Sequence, residues 1–420
     1  MTGAADDNLG RPRALVSAIQ ASCKVGGVET WSLQLLREAR VRGWRPILAC
    51  VQEPFQSEPV FQDVPEGISQ TPFTRASWRV IEKAATAPFA DWSPACIIPN
   101  CCRELHAMCA HWLRKDPGHW RLVGMCHSDE EYYYSLLSWY EPIIHRFVGV
   151  SDTCVENLRR LLPHRASDIV LRPYGIQVPA SLERGYSPPG KPLELLYAGR
   201  IVEYQKRVFD LLRLAELLAA RKVDFRLHIV GDGLDKRALL RRYQRLARAV
   251  RLQVSIEPPI QHSAMPNLLR STDVAVQVSS FEGTSIFMLE AMAHGVVPVM
   301  TAVSGTAALI QQGVTGYRVP FGDLPAMAEA LAVLAANRNL LPQLGNEAHR
   351  RVRDYSQEKY NDWFFQLLDE VWAEPPRSWP GERRPVPRGE EFFYRTMDWF
   401  PPAAMAAAWL DYRVKKWRGL

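Results

Sequence analysis

The segment FEGTSIFMLEAMAHGVVPV, residues 281–299, carries two carboxylates, Glu282 and Glu290, in an otherwise apolar run. Before it, DVAVQVS (273–279) has the β-branched alternation of a strand. SIFMLEAMAHG reads as a helix stopped by Gly295, and VVPVMT (296–301) as the next strand. Strand, turn, helix and strand in that order make a unit of a parallel sheet. Glu282 then falls on the strand-to-helix turn, and Glu290 two turns down the helix. The amides of Gly283, Thr284 and Ser285 open that helix, and a helix N-terminus is a ready anion site. A carboxylate flanked by Leu289 and Met292 is costly to bury unless hydrogen-bond donors meet it. Sugar or ribose hydroxyl pairs are donors of that kind. The plainer alternative is a solvated helix residue and an ordinary turn residue.

The same alternation extends in both directions. LELLYAGR (193–200), DFRLHIVG (224–231) and LQVSIE (252–257) read as strands, with the helices RVFDLLRLAELLAARK and LDKRALLRRYQRLARAV between them. In the first half ALVSAIQ (14–20), WRPILACV (44–51), ACIIPN (95–100), RLVGMCH (121–127) and RFVGVS (146–151) are strands. VETWSLQLLREARVR, ELHAMCAHWLRK and DTCVENLRRLL are helices. PASLERGYSPPGKP (179–192) is polar, proline-rich and aperiodic, a linker. The fold expected is α/β: two Rossmann-like, doubly wound domains facing a central cleft at the carboxyl ends of their strands. YSQEKYNDWFFQLLDEVW (355–372) is a closing amphipathic helix. Beyond it comes a proline-, arginine- and aromatic-rich tail, whose last stretch, AAMAAAWLDYRVKKWRGL, is a candidate helix with a broken apolar stripe.

Composition bounds the function. The 420 residues are 47% hydrophobic and 23% charged, a globular balance. The net charge of +6 is modest. Lys/Arg and Asp/Glu are level at 20 each over residues 1–185, while the excess falls in 186–372 (22 against 19) and 373–420 (9 against 6). That suits a phosphate-bearing ligand or an anionic surface and is too weak for nucleic acid. MTGAADDNLGRPR lacks the apolar core of a signal peptide, and no run of 18 apolar residues follows. The eight cysteines, all between positions 23 and 154, have irregular spacing and read as reduced, mostly buried thiols of a cytoplasmic protein. Cys96, Cys101, Cys102 and Cys109 with His106 and His111 lack the paired short spacings of a zinc site, so no metal is expected there.

Other strand ends carry chemistry. AGRIVEYQKR (198–207) puts Arg200 at a strand end and Lys206 six residues on. Two cations with no acidic partner in register suit a diphosphate; a surface ion-pair site is the blander reading. IVGDGLDKR (229–237) repeats the strand–glycine turn–helix pattern with Gly231 and Gly233. KVGGVET (24–30) does so with Gly26 and Gly27, where a ligand could approach the backbone. VGMCHSDEEYYY (123–134) puts His127 at another strand end. The tyrosines and tryptophan of DEEYYYSLLSWYEP (129–142) suit either a packed helix or a platform for a sugar ring. The basic run from Lys236 to Arg251 reads as a solvated face, with an anionic membrane or acceptor as the lesser alternative.

Taken in order, GGVE, CHSD, VGVS, YGI, AGR with Lys206, VGDG, and FEG with LEAMAHGVVPV resemble the GT-B-fold glycosyltransferases of the large retaining family numbered 4, over roughly residues 14–373. The resemblance implies an acceptor-binding domain over 1–178, a linker over 179–192 and a nucleotide-sugar-binding domain over 193–354. It also implies a crossover helix over 355–373 returning to the first domain, and leaves a tail over 374–420. Glu290 would hold the donor ribose and Glu282 hydroxyls of the donor sugar. Arg200 and Lys206 would neutralise the diphosphate with amides near Gly283 to Ser285. Gly26 and Gly27 would close over the donor phosphate, with Gly231 and Gly233 on the donor side, and His127 would face the transferred sugar. No Asp-x-Asp occurs, so no metal cofactor is implied. A retaining hydrolase needs two carboxyls roughly 5–5.5 Å apart; Glu282 and Glu290, eight positions apart, should be about twice that and read as binding groups. The acceptor would be a glycan, a lipid-linked sugar or a small molecule, with peripheral contact to the inner membrane face as a further option. The alternatives are a catalytically silent nucleotide-sugar-binding subunit that scaffolds a partner through its tail, and the same fold turned to epimerisation or phosphorolysis. Departures at Tyr174 to Gln177, Pro258 and Ala308 bear on base and sugar identity.

Overall fold

The computed structural model describes residues 11–20, 26–52, 66–74, 89, 91–249 and 253–387. Two sheets organise it. The first contains β1 (Ala14–Gln20), β2 (Arg45–Gln52), β3 (Ser69–Thr74), β4 (Ala95–Ile98), β5 (Trp120–Cys126), β6 (Arg146–Gly149) and β7 (Ile169–Leu171). Their order is β3-β2-β1-β4-β5-β6-β7. The second contains β8 (Leu193–Ala198), β9 (Phe225–Val230), β10 (Val254–Glu257), β11 (Val274–Gln277), β12 (Val297–Thr301) and β13 (Tyr317–Val319), ordered β10-β9-β8-β11-β12-β13. Every pairing is parallel. This is the doubly wound order, and it is built twice.

The inner strands explain why. β4, β5, β11 and β12 are buried at every position, as a parallel sheet covered by helices on both faces requires. The strands absent from the sequence reading, β3, β7 and β13, sit at or near sheet edges. There a strand buries little, and two of them are only three residues long.

Helices cover the first sheet: α1 (Gly27–Val41), α2 (Arg103–Lys115), α3 (Glu131–Trp139) and α4 (Asp152–Leu161). Around the second lie α5 (Glu203–Lys206), α6 (Val208–Ala220), α7 (Lys236–Ala249), α8 (Met265–Arg270), α9 (Ile286–Ala293), α10 (Thr306–Leu309), α11 (Leu324–Ala336) and α12 (Leu340–Val352). The linker is not loose: Arg184 donates to the carbonyls of Thr272 and His294, and Tyr186 Oη to that of Gly295.

The final helix, α13 (Gln357–Ala373), returns to the first sheet. Trp31 Nε1 donates to Tyr360 Oη at 2.8 Å, Phe364 packs edge-on against Trp31, and Arg42 pairs with Asp362. Just before it the backbone of Ile176 exchanges hydrogen bonds with Tyr355 and Gln357. The crossover thus forms as the resemblance implied. The start of the tail docks on the first domain. Trp379 and Val386 are buried in its core, and Tyr140 Oη donates to the Pro385 carbonyl at 2.8 Å. Residues 388–420, with the candidate last helix, lie outside the described residues, as do Cys23 and Arg251. The seven described cysteines are thiols, all but Cys101 buried.

Candidate active site in the interdomain cleft

The two strands flanking the reversal of order in the second sheet are β8 and β11. Loops leaving the carboxyl ends of such a pair form the ligand crevice of a doubly wound fold. Arg200 and Lys206 follow β8, and Glu282 follows β11. From the first domain the start of α1 supplies Gly26 and Gly27, and the loop after β5 supplies His127. Together these line a cavity of about 360 Å³, large enough for a nucleotide sugar.

The cation pair differs from expectation. Lys206 has an acidic partner: its Nζ lies 2.5 Å from Glu282 Oε1, and both side chains are largely buried. The partner is invisible along the sequence because 76 residues separate the two. Burial, with Arg200 adding to it, pulls the ammonium below its ordinary value, and Glu282 opposes the shift. Gln277 Nε2 donates to the same carboxylate oxygen at 3.2 Å, and Gln277 Oε1 accepts from Ser285 Oγ at 2.7 Å. Gln205 accepts from Arg200 Nη2 at 2.7 Å. Glu282 and Arg200 are therefore held by two glutamines that the sequence reading passed over. Gln277 had a signal, since it is the polar residue of a fully buried strand.

The glycines and hydroxyls divide between ligand and scaffold. Gly26, Gly27, Gly231, Thr284 and Ser285 line the cavity, whereas Gly233 and Gly283 do not. Gly233 is packed on the Ile201 backbone, where a Cβ would meet Ile201 C at 2.7 Å. Gly283 is packed on the His127 backbone and marks the seam between domains. Thr284 Oγ1 donates across that seam to the Val150 carbonyl at 2.6 Å, and Ser285 Oγ caps α9 through Met288 N. Both hydroxyls are engaged within the protein, so the amides at this helix start are what it offers an anion.

His127 lines the cleft, yet both ring nitrogens are taken. Asn100 Oδ1 can only accept, so Nε2–H donates to it at 2.8 Å, and Nδ1 accepts from Tyr174 Oη at 2.7 Å. Burial pulls the imidazole down to about 3. His127 is neutral at physiological pH and presents no unengaged nitrogen to a sugar in this conformation. Tyr174 and Asn100 together fix the ring.

Glu290 is 9% exposed and is no solvated helix residue. Its Oε1 lies 2.5 Å from His262 Nε2, another group the sequence reading did not single out. In the first domain Tyr132 and Tyr133 of α3 reach the cavity, while Tyr134 turns to Asp129. The aromatic segment is thus a packed helix with one face on the cleft. His106 bonds the Cys102 carbonyl, and among the described residues no group of three or more His, Cys, Asp or Glu side chains is placed to hold a metal ion.

Glu29 was also passed over. It sits in the first turn of α1, folded back on Gly26, and burial raises its carboxyl to about 6, with Arg200 opposing. A carboxyl raised from 4.5 to about 6 favours the fold only while protonated. That contribution is complete below pH 4.5 and is lost as pH rises through about 6. The ionised form then costs about 2 kcal/mol. Glu29→Gln should raise the melting temperature at about pH 8 and leave it unchanged at about pH 4, read by thermal denaturation at both values.

Residues 192–337 match the family model described as Glycosyl transferases group 1. This segment, with Arg200, Lys206, Glu282 and Glu290, belongs to the group 1 glycosyltransferases. The putative colanic acid biosynthesis glycosyltransferase WcaL of Salmonella typhimurium is 28% identical over 207 residues, 47% of this chain and 50% of that protein. The phosphatidyl-myo-inositol mannosyltransferase of Mycobacterium leprae is 32% identical over 225 residues, 51% and 57% of the two chains. The chain therefore spans about half the length of the curated relatives it matches. Among solved structures, a glycosyltransferase from Rickettsia africae superposes with a TM-score of 0.67 at 15% identity, covering 87% of this chain and all of that one. Anabaena HepE in complex with UDP-glucose gives 0.67 at 14%, covering 85% and 99%. At these identities the likeness is one of fold, and that fold is GT-B. No helix among the described residues is long and apolar enough to cross a membrane.

Proposed function

We propose that the protein is a retaining glycosyltransferase that moves a sugar from a nucleotide-diphosphate sugar to an acceptor hydroxyl without a divalent metal. The observation that carries this reading is the Lys206–Glu282 pair, held beside Arg200 and the start of α9 in the interdomain cleft. Cleaving a sugar from a diphosphate builds negative charge on the leaving oxygen, and preorganised cations and amides there lower the barrier. Arg200, Lys206 and the α9 amides supply them. Glu282, already bonded to Lys206, accepts from hydroxyls of the donor sugar, and Glu290 takes the ribose. The acceptor attacks from the leaving-group face and passes its proton to the departing phosphate. That route needs no protein base, in keeping with a neutral, fully bonded His127.

The named relatives act in polysaccharide and glycolipid synthesis. An acceptor of that kind, used on the cytoplasmic side of the membrane, fits the aromatic face of α3. The silent-subunit alternative rests on the tail as a partner-binding element, and the start of that tail is anchored on the first domain by the buried Trp379 and Val386.

The test is a donor screen. The protein is incubated with UDP-, GDP- and ADP-sugars in EDTA, and release of nucleoside diphosphate is followed for the native chain, Lys206→Ala and Glu282→Gln. Slow hydrolysis of one donor, lost in both variants, is expected. Turnover that appears only on adding a divalent metal would overturn the metal-independent reading.

A further inference from the structure

His262 and Glu290 come from different elements, the turn His262–Ala264 after β10 and the middle of α9. Their side chains meet at 2.5 Å on the wall of the cleft, Glu290 buried and His262 part-exposed. A carboxylate has about four lone-pair sites. One bond from His262 thus orients Glu290 and leaves it able to accept a vicinal hydroxyl pair. A neutral imidazole with its proton on Nε2 makes the same bond as the imidazolium, so titration changes the charge of the pair and not its geometry.

We propose that His262 is a positioning residue that fixes Glu290 for the donor ribose and, when protonated, adds a positive charge that strengthens binding of the anionic donor. The inference rests on the donor reading given above. A nucleotide sugar carries two negative charges on its diphosphate, so it binds better to the protonated pair, and by linkage the bound donor holds the proton more tightly. The charged groups facing His262 are Glu290 from α9 and Arg37 from α1. The Glu290 hydrogen bond raises the imidazole above its ordinary value, against burial and Arg37. Next along α9, His294 turns its Nδ1 to the Glu290 carbonyl. Affinity therefore falls as pH rises through the raised His262 value. Glu29 ionises in the same range near Arg200 and lowers affinity in the same direction. Only substitution at position 262 separates the two contributions.

The experiment is calorimetric titration of the full chain with UDP-glucose, GDP-mannose and ADP-glucose between about pH 5.5 and 8.5. Their esterified diphosphates do not titrate there, and the window brackets the imidazole. Native protein, His262→Gln and His262→Lys are compared, with donor hydrolysis alongside. For the donor that binds, affinity in the native protein should fall about threefold to tenfold further across the range than in His262→Gln. His262→Lys should keep the tighter binding at the high end, and the losses should appear in KM with kcat little changed. Parallel profiles for native protein and His262→Gln would overturn the inference while leaving the donor reading intact. If none of the three donors binds at any pH, the donor reading fails and this inference falls with it.

Discussion

Lys206→Ala should lower sugar transfer by about 10²–10³-fold, the usual cost of removing one preorganised donor from a developing anion. The structure sharpens this expectation beyond a lost cation. Lys206 is also the ion-pair partner of Glu282, whose side chain is 7% exposed. Removing one member of a buried pair leaves the other uncompensated, typically at about 3–5 kcal/mol of stability. Gln277 and Gln205, which donate to Glu282 at 3.2 and 3.5 Å in the native chain, are untouched by the substitution, so the expected stability loss lies at the lower end of that range. Steady-state hydrolysis of the preferred donor, together with a melting curve, checks both parts. Unchanged turnover with a lowered melting temperature would make Lys206 a structural partner of Glu282 and nothing more.

Gly283→Ala should lower activity by about 10²-fold, since displacing catalytic groups by an ångström is enough for that, with little change in melting temperature. An added Cβ would fall inside contact distance of the His127 carbonyl oxygen, 2.8 Å from its carbon and 2.6 Å from Val150 Cγ2. His127 presents backbone there, which cannot rotate away, so the domains must part. The contacts along the same seam would loosen with them: Asp129 N to the Glu282 carbonyl at 3.0 Å, Thr284 Oγ1 to Val150, and Ser151 Oγ to Ser304 Oγ at 2.6 Å. Each sheet also has an apolar cluster confined to its own domain, which is why most of the stability should hold. Small-angle scattering should show a more open particle. Full activity in a closed particle would mean that the seam accommodates a methyl group without moving the site.

How far the site was legible depended on where each partner lay in the chain. Glu282, Glu290, Arg200 and Lys206 announce themselves as charges at strand ends or in apolar helices, and the cleft does gather them. His127 was equally visible, but its neutrality was not. That follows from Asn100 and Tyr174, which lie 27 and 47 residues away and reach the ring only in the folded chain. Gly233 and Gly283 look like ligand-binding glycines in a strand–turn–helix motif. In the fold they are places where two backbones approach too closely for a side chain.

Local sequence pattern sets the α/β alternation, the division into two sheets around a proline-rich segment, the closing amphipathic helix and the strand-end positions of the charged groups. All of these follow from periodicities and breakers that act over a few residues. The folded chain alone brings Lys206 to Glu282 and His262 to Glu290, buries Glu29 beneath Gly26, and completes the sheets with β3, β7 and β13. The cost of burying a charge, or of leaving a short edge strand unpaired, requires that a partner exist. Which residue serves is set by the path of the chain through space, and no local pattern records it.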